Sequence, residues 1–285
     1  MAPKIGMNNF FEKSDMLIKK TALTVFLIFG ILFLNDVMGQ RTLEVGVFGG
    51  GSYYIGDLNP TLHFNMTKPA YGALARLNLN PRLAAKLSYS RGKVTGDDTK
   101  TNAVDNRNLS FLTIINDVNL SGEFNFWEYY TGSKRNYFTP YITGGVSMFF
   151  YNPESLSGVD LRSLGTEGQN LGFDGRKPYD KYSFALSFGF GFKYSLTERL
   201  GLTFEWVMRK AFTDYIDDVS TTYYLYGQTI DPNNAAQVLS DPTMNHKPFM
   251  QRGDDKTMDW YNFTGISLTY KFDLYGKKKC NTTKW

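Results

Sequence analysis

Seven charged side chains carry the clearest chemistry in this sequence. Glu44, Glu123 and Glu205 stand against Arg76, Lys86, Lys193 and Lys271, each on the small or polar side of an alternating segment. Carboxylates and cations that converge in a water-poor space must pair, because an isolated buried charge is costly. Such a set reads in two ways, as a gated path for protons or ions and as a filled plug that ties strands together. We take the plug as the expectation. A second chemistry, hydrolysis or acyl transfer on lipid, requires a Ser–His–acid set. The chain has two histidines, His63 and His246, and Ser52 and Asp57 are near enough in sequence to meet His63. Isolated loop histidines are more often solvated than catalytic, so no catalytic residue is assigned. The acidic pairs Asp97-Asp98, Asp217-Asp218 and Asp254-Asp255 suit Ca²⁺ by ligand type, yet none has the spacing of a calcium loop. They are expected as solvated loop residues, with no metal and no cofactor.

Cys280 is the only cysteine, and Lys277-Lys278-Lys279 precede it. Neighbouring cations favour the thiolate, and an odd cysteine in an exported chain stays free or bonds to another molecule. Both outcomes stay open, as does the role of the three lysines, a docking patch for an acidic partner or a solubilising end.

Export itself is predicted from residues 1–39. Met16-Leu17-Ile18-Lys19-Lys20 is a basic start, Thr21 to Leu34 is an apolar run, and Val37-Met38-Gly39 offers small side chains before a cut at Gln40. The run is shorter than the roughly 20 residues a spanning helix needs. The whole chain carries a net charge of +4. After the leader the surplus sits in the Lys-rich tail, which is no pattern for nucleic-acid binding.

The rest of the chain alternates with period two. Tyr182, Phe184, Leu186, Phe188, Phe190, Phe192 and Tyr194 share one face, and Ser183, Ala185, Ser187, Gly189, Gly191 and Lys193 share the other. Large apolar residues on one side with aromatics at both ends suit a strand that faces lipid. Seven more segments follow: Leu43–Tyr54, Pro69–Leu79, Leu83–Lys93, 112–126, Tyr137–Tyr151, Leu200–Arg209 and Trp260–Phe272. The connections between the eight run to about 14, 3, 15, 10, 30, 5 and 50 residues, alternately long and short apart from the fourth. Barrels of the outer membrane have short periplasmic turns and long outer loops. The expectation is therefore an all-β, eight-stranded antiparallel transmembrane barrel over residues 40–272, after a signal peptide at 1–39 and before a periplasmic basic tail at 273–285. The last loop, Lys210–Asp259, is either a contact surface around Tyr223-Tyr224-Leu225-Tyr226 or a flexible connection.

Two end motifs resemble a known family. The opening, Glu44-Val45-Gly46-Val47-Phe48-Gly49-Gly50-Gly51-Ser52-Tyr53-Tyr54-Ile55-Gly56-Asp57-Leu58, resembles the start of the PorG family of Bacteroidota barrels. The closing Asn262-Phe263-Thr264-Gly265-Ile266-Ser267-Leu268-Thr269-Tyr270-Lys271-Phe272, followed by lysines and Cys280, is similar to its end. That resemblance implies a non-catalytic outer-membrane component of the type IX secretion system, which exports proteins and supports gliding motility in some species. It also implies partners: the PorN-type ring protein and the PorK-type lipoprotein, the latter in contact with Cys280 and Lys277–Lys279. A small ion or solute channel and a lipid-modifying enzyme are the alternatives.

Overall fold

Alternating side chains become eight strands, because period two puts one set of residues on each side of a pleated ribbon. They are β1 (Thr42–Ile55), β2 (Lys68–Asn78), β3 (Leu83–Asp97), β4 (Ser110–Asn125), β5 (Phe138–Glu154), β6 (Tyr182–Ser195), β7 (Leu200–Ala211) and β8 (Trp260–Asp273). Each strand pairs with its sequence neighbours, and β8 pairs antiparallel with β1 to close the barrel. Closure satisfies every strand edge, the condition for placing a sheet in hydrocarbon. This is the fold of an eight-stranded outer-membrane barrel. The computed structural model describes residues 41–101 and 103–274. The signal-peptide segment lies outside the described residues, as do Lys277–Lys279 and Cys280.

The outer wall follows the expected facing. Along β6, Phe188 is 46% exposed and its neighbours Leu186 and Phe190 are each 47% exposed, whereas Lys193 on the opposite face is fully buried. Tyr141 points inward and Ile142 outward, which settles the facing of β5. Residues 79–82 and 196–199 form the short turns. In the first, the Asn80 side chain accepts the backbone N–H groups of Arg82 at 2.8 Å and Leu83 at 2.7 Å, the local bonding that makes Asn a turn former.

The connection of residues 126–137 breaks the short-long rhythm for a structural reason. It lies at the end that carries the short turns, where it folds back into the barrel mouth. Tyr129 and Thr131 are buried there, and the Thr131 hydroxyl donates to Glu44 Oε1 at 2.6 Å. At the opposite end the long connections 56–67, 98–109, 155–181 and 212–259 pack together over the lumen. The last of these contains a short helix, Ala235–Ser240, capped by Asn234.

An arginine at position 188 tests the lipid-facing assignment. Phe188→Arg is expected to destabilise the barrel by about 2–4 kcal/mol in lipid bilayers, as a midplane cation does. Reversible urea unfolding in vesicles measures it, and an unchanged midpoint would remove Phe188 from the hydrocarbon.

Candidate functional site

The lumen near the short turns is organised around Glu123, on the inward face of β4. Its Oε2 meets Arg76 Nε at 2.8 Å and Lys193 Nζ at 2.6 Å, and its Oε1 lies 3.4 Å from Lys86 Nζ. Arg76 continues to Glu44 through Nη1 at 2.9 Å, and Lys86 continues to Glu205. The Tyr141 hydroxyl also donates to Glu205 at 2.9 Å. That ring has room because Gly191 stands beside it; a Cβ at 191 would come within 2.7 Å of the ring. Three acids and three bases thus form one buried chain across the barrel. Strand pairing sets it up, since Glu44 is opposite Arg76 and Arg76 is opposite Lys86.

Lys271 does not join this chain. It is opposite Glu44 in register, yet its Nζ donates to the Thr131 carbonyl at 2.6 Å and lies 4.0 Å from Asp273. The Glu44 carboxylate already accepts from Arg76, Asn78, Thr131 and Thr269. No lone pair is left facing the lysine.

Higher in the lumen lies a second buried ion pair. Arg209 Nε donates to Asp117 Oδ1 at 3.2 Å, and the Tyr261 hydroxyl donates to Asp117 Oδ2 at 2.8 Å. The Arg209 guanidinium lies over the Phe263 ring, 4.7 Å from its centroid, where cation–π attraction adds to the pair. Asp117 and Arg209 thus join the lumen set beyond the seven residues expected from the sequence. Their signal was present, because Asp117 shares the face of Asn119 and Glu123, and Arg209 shares the face of Glu205.

The long loops correct several expectations. Asp97, Asp98, Asp217 and Asp218 are buried rather than solvated, while Asp254 is half-buried and Asp255 exposed. Arg107 clasps Asp98 with Nε and Nη2 at 2.7 and 2.6 Å and donates to the carbonyls of Arg252 and Asp57. Arg252 in turn meets Glu167 Oε1 at 3.1 Å and the Asp218 carbonyl at 2.6 Å. These two arginines join four loops into a cap, so the last loop is packed rather than a plain connection, while Tyr226 stays 60% exposed on it. Tyr223 is buried in it and stacks on His246 with centroids 4.1 Å apart. His246 Nδ1 lies 2.9 Å from Asp241 Oδ1, which corrects its reading as solvated. Loop residues have no facing rule, so Arg107, Glu167 and Arg252 gave no signal in the sequence.

Ser52, His63 and Asp57 do not form a catalytic set. Ser52 faces the lumen and donates to the Lys93 carbonyl at 2.8 Å. Tyr53, the next residue, faces outward, and His63 lies against it with Nδ1 3.1 Å from its hydroxyl. The barrel wall separates the serine from the imidazole.

Buried acids outnumber buried arginines in the cap. The Tyr54 hydroxyl donates to Asp217 Oδ2 at 2.5 Å and stands 2.9 Å from Asp259 Oδ1. The single hydroxyl proton is shared between the two carboxylates, so their mutual repulsion is only partly relieved. No cluster of three or more potential metal-ligating side chains occurs among the described residues. Burial, then repulsion from Asp259, holds the Asp217 carboxyl well above the usual carboxylate range. Burial does the same to Asp259, with the charge of Asp57 adding to it. Burial also pushes Asp214 up to about 9 and Asp57 and Asp218 to about 6.

Two predictions follow from these networks. Removing the Glu123 carboxylate as Glu123→Ala leaves three cations without a common partner and should cost about 3–5 kcal/mol, measured by urea unfolding in detergent micelles. The cap should also loosen with rising pH. Acids whose folded pKa lies above the unfolded value of about 3.9 give stability that is whole below that pH and lost as pH rises. The loss runs through about 6 for Asp57 and Asp218 and about 9 for Asp214. Asp241, lowered despite its burial by bonds from His246, works the other way and loses its contribution in acid. Hydrogen-exchange protection of residues 212–259, corrected for intrinsic rates, should therefore fall between pH 5 and pH 9.

Solved bacterial outer-membrane barrels give low-scoring matches. The N-terminal β-barrel domain of Pseudomonas aeruginosa OprF is 13% identical, with a TM-score of 0.38 over 82% of this chain and 100% of that one. Ail, the attachment invasion locus protein of Yersinia pestis, is 8% identical, with a TM-score of 0.40 over 82% and 100%. Neisserial surface protein A is 10% identical, with a TM-score of 0.40 over 82% and 98%. The architecture is defined by this chain's own strand pairing. Among curated proteins, none matches the sequence. The family described as "Domain of unknown function (DUF6089)" matches residues 20–284. With nearly its whole length matched, this chain belongs to the DUF6089 family.

Proposed function

We propose that this protein is a non-catalytic outer-membrane component of the type IX protein secretion system that anchors the periplasmic PorK–PorN ring. The observation that carries this reading is the filled lumen. Arg76, Glu123 and Lys193 occupy the bore at one level and Asp117 with Arg209 at another. A barrel filled in this way offers its two ends and its lipid-facing wall for function. The opening and closing strands, which resemble those of PorG, supply the specific role. The start of β1 and the end of β8 lie at the end of the barrel that carries the short turns, the periplasmic side in such barrels, and on this reading Lys277–Lys279 with Cys280 are the contact for the PorK-type lipoprotein. The remaining contacts are with outer-membrane lipids.

A small ion or solute channel would need a path through side chains that are already ion-paired. A lipid-modifying enzyme would need His63 or His246 beside a nucleophile; the barrel wall divides Ser52 from His63, and a double His variant with unchanged lipid A would remove the His246 alternative as well. Affinity purification in mild detergent tests the anchoring reading. PorK-type and PorN-type proteins should co-purify with the full chain and be lost on deletion of 273–285. A higher-mass band on non-reducing gels should disappear in Cys280→Ser. Retention of every partner by the truncated chain would refute the tail as the contact, and stepwise conductance in planar bilayers would favour a channel.

A further inference from the structure

The cap contains a cavity of about 610 Å³, open to the surface and walled by the first, second and last long loops together with the start of β8. This lies within the roughly 300–1,000 Å³ of small-ligand sites. Its lining has two parts. One is apolar, formed by Pro60, Val104, Met258 and Trp260, of which Val104 is 48% and Met258 39% exposed. The other is acidic, formed by Asp57 and Asp254.

The acidic part is held in place. Both carboxylate oxygens of Asp57 accept the Asp254 backbone N–H, at 3.2 and 2.9 Å. Asp254 in turn accepts the Lys256 N–H and the Thr257 hydroxyl. The turn thus brings two carboxylates to one wall, and neither forms a salt bridge with a cation among the described residues. Arg107 and Arg252 also line the cavity, but their donors are directed elsewhere. Arg107 is bound to Asp98 and two carbonyls, and Arg252 to Glu167 and the carbonyls of Ser240 and Asp218. The unmatched charge facing the cavity is negative. Trp260 adds an aromatic face that already attracts a cation, since Lys210 Nζ lies 5.4 Å from its ring centroid.

We propose that this cavity binds an apolar organic cation of about two-residue size, an arginine or lysine side chain beside an aromatic or aliphatic one in a peptide segment. The cation meets Asp57 and Asp254, and the apolar group lies on Val104, Met258 and Trp260. A lone carboxylate pair would favour any cation, and a lone apolar wall any hydrophobe. Their juxtaposition selects molecules that carry both.

Isothermal titration of the full chain in nanodiscs with acetyl-Phe-Arg-amide tests this, with acetyl-Phe-citrulline-amide as the uncharged isostere and acetyl-Phe-Glu-amide as the anion. The arginine peptide should bind, and each of the other two should bind at least about tenfold more weakly, the worth of one charged hydrogen bond. Asp57→Asn and Asp254→Asn should each weaken the arginine peptide while leaving the citrulline peptide unchanged. Trp260→Leu should weaken both. Phenethylammonium serves as the small-molecule arm: if it binds as tightly as the arginine peptide, the proposal fails for peptides. Equal binding of all three peptides, or an unchanged affinity in both Asp variants when they retain the heat-modifiable gel shift of a folded barrel, overturns it outright. Because Asp57→Asn and Asp254→Asn sit on separate loops, misfolding of one leaves the other to decide.

Discussion

Closing eight strands into a barrel brings the inward half of every strand into a tube just wide enough for side chains to fill. Charges placed there lose water and must find partners inside the wall. Glu123 is where that constraint is met, with cations reaching it from β2, β3 and β6. Neighbouring positions are shaped around this meeting point. Gly191 leaves space for Tyr141, whose hydroxyl serves Glu205, and the connection of residues 126–137 enters the mouth to serve Glu44.

The two ends of the lumen solve the same electrostatic problem differently. Near the short turns, three carboxylates are matched by three cations, and the chain of pairs is neutral. Under the long loops, Arg107 and Arg252 face a larger number of buried carboxylates, and the Tyr54 hydroxyl is shared between Asp217 and Asp259. Burial holds the Asp217 and Asp259 carboxyls well above their usual range, so the cap is expected to respond to pH as well as to its two arginines. Loops 56–67, 98–109, 155–181 and 212–259 are consequently parts of one packed layer, each fixed by side chains from another.

A filled bore directs attention to surfaces. The lipid-facing belt of β6 forms one such surface, and the cap presents a separate recess in which unmatched acids adjoin apolar side chains. The belt lies on the side wall and the recess in the cap, so contacts at one leave the other accessible.

Strand existence, facing and antiparallel order were legible in the sequence because period-two alternation is a local property that survives without knowledge of neighbours. The same alternation identified Glu44, Arg76, Lys86, Glu123, Lys193 and Glu205 as inward, and it carried Asp117 and Arg209 as well. Their partners were not legible. Whether Lys271 or Asn78 satisfies Glu44 depends on which groups reach its oxygens first in three dimensions. Ser52 and His63 look adjacent along the chain, yet a strand turns successive residues to opposite faces and the wall comes between them. The burial of Asp98, Asp217 and Asp218, and the folding of the last loop into a cap, were decided only by tertiary packing. Loops have no repeating geometry to project a side chain inward or outward, so their charges acquire a direction only when distant segments close over them.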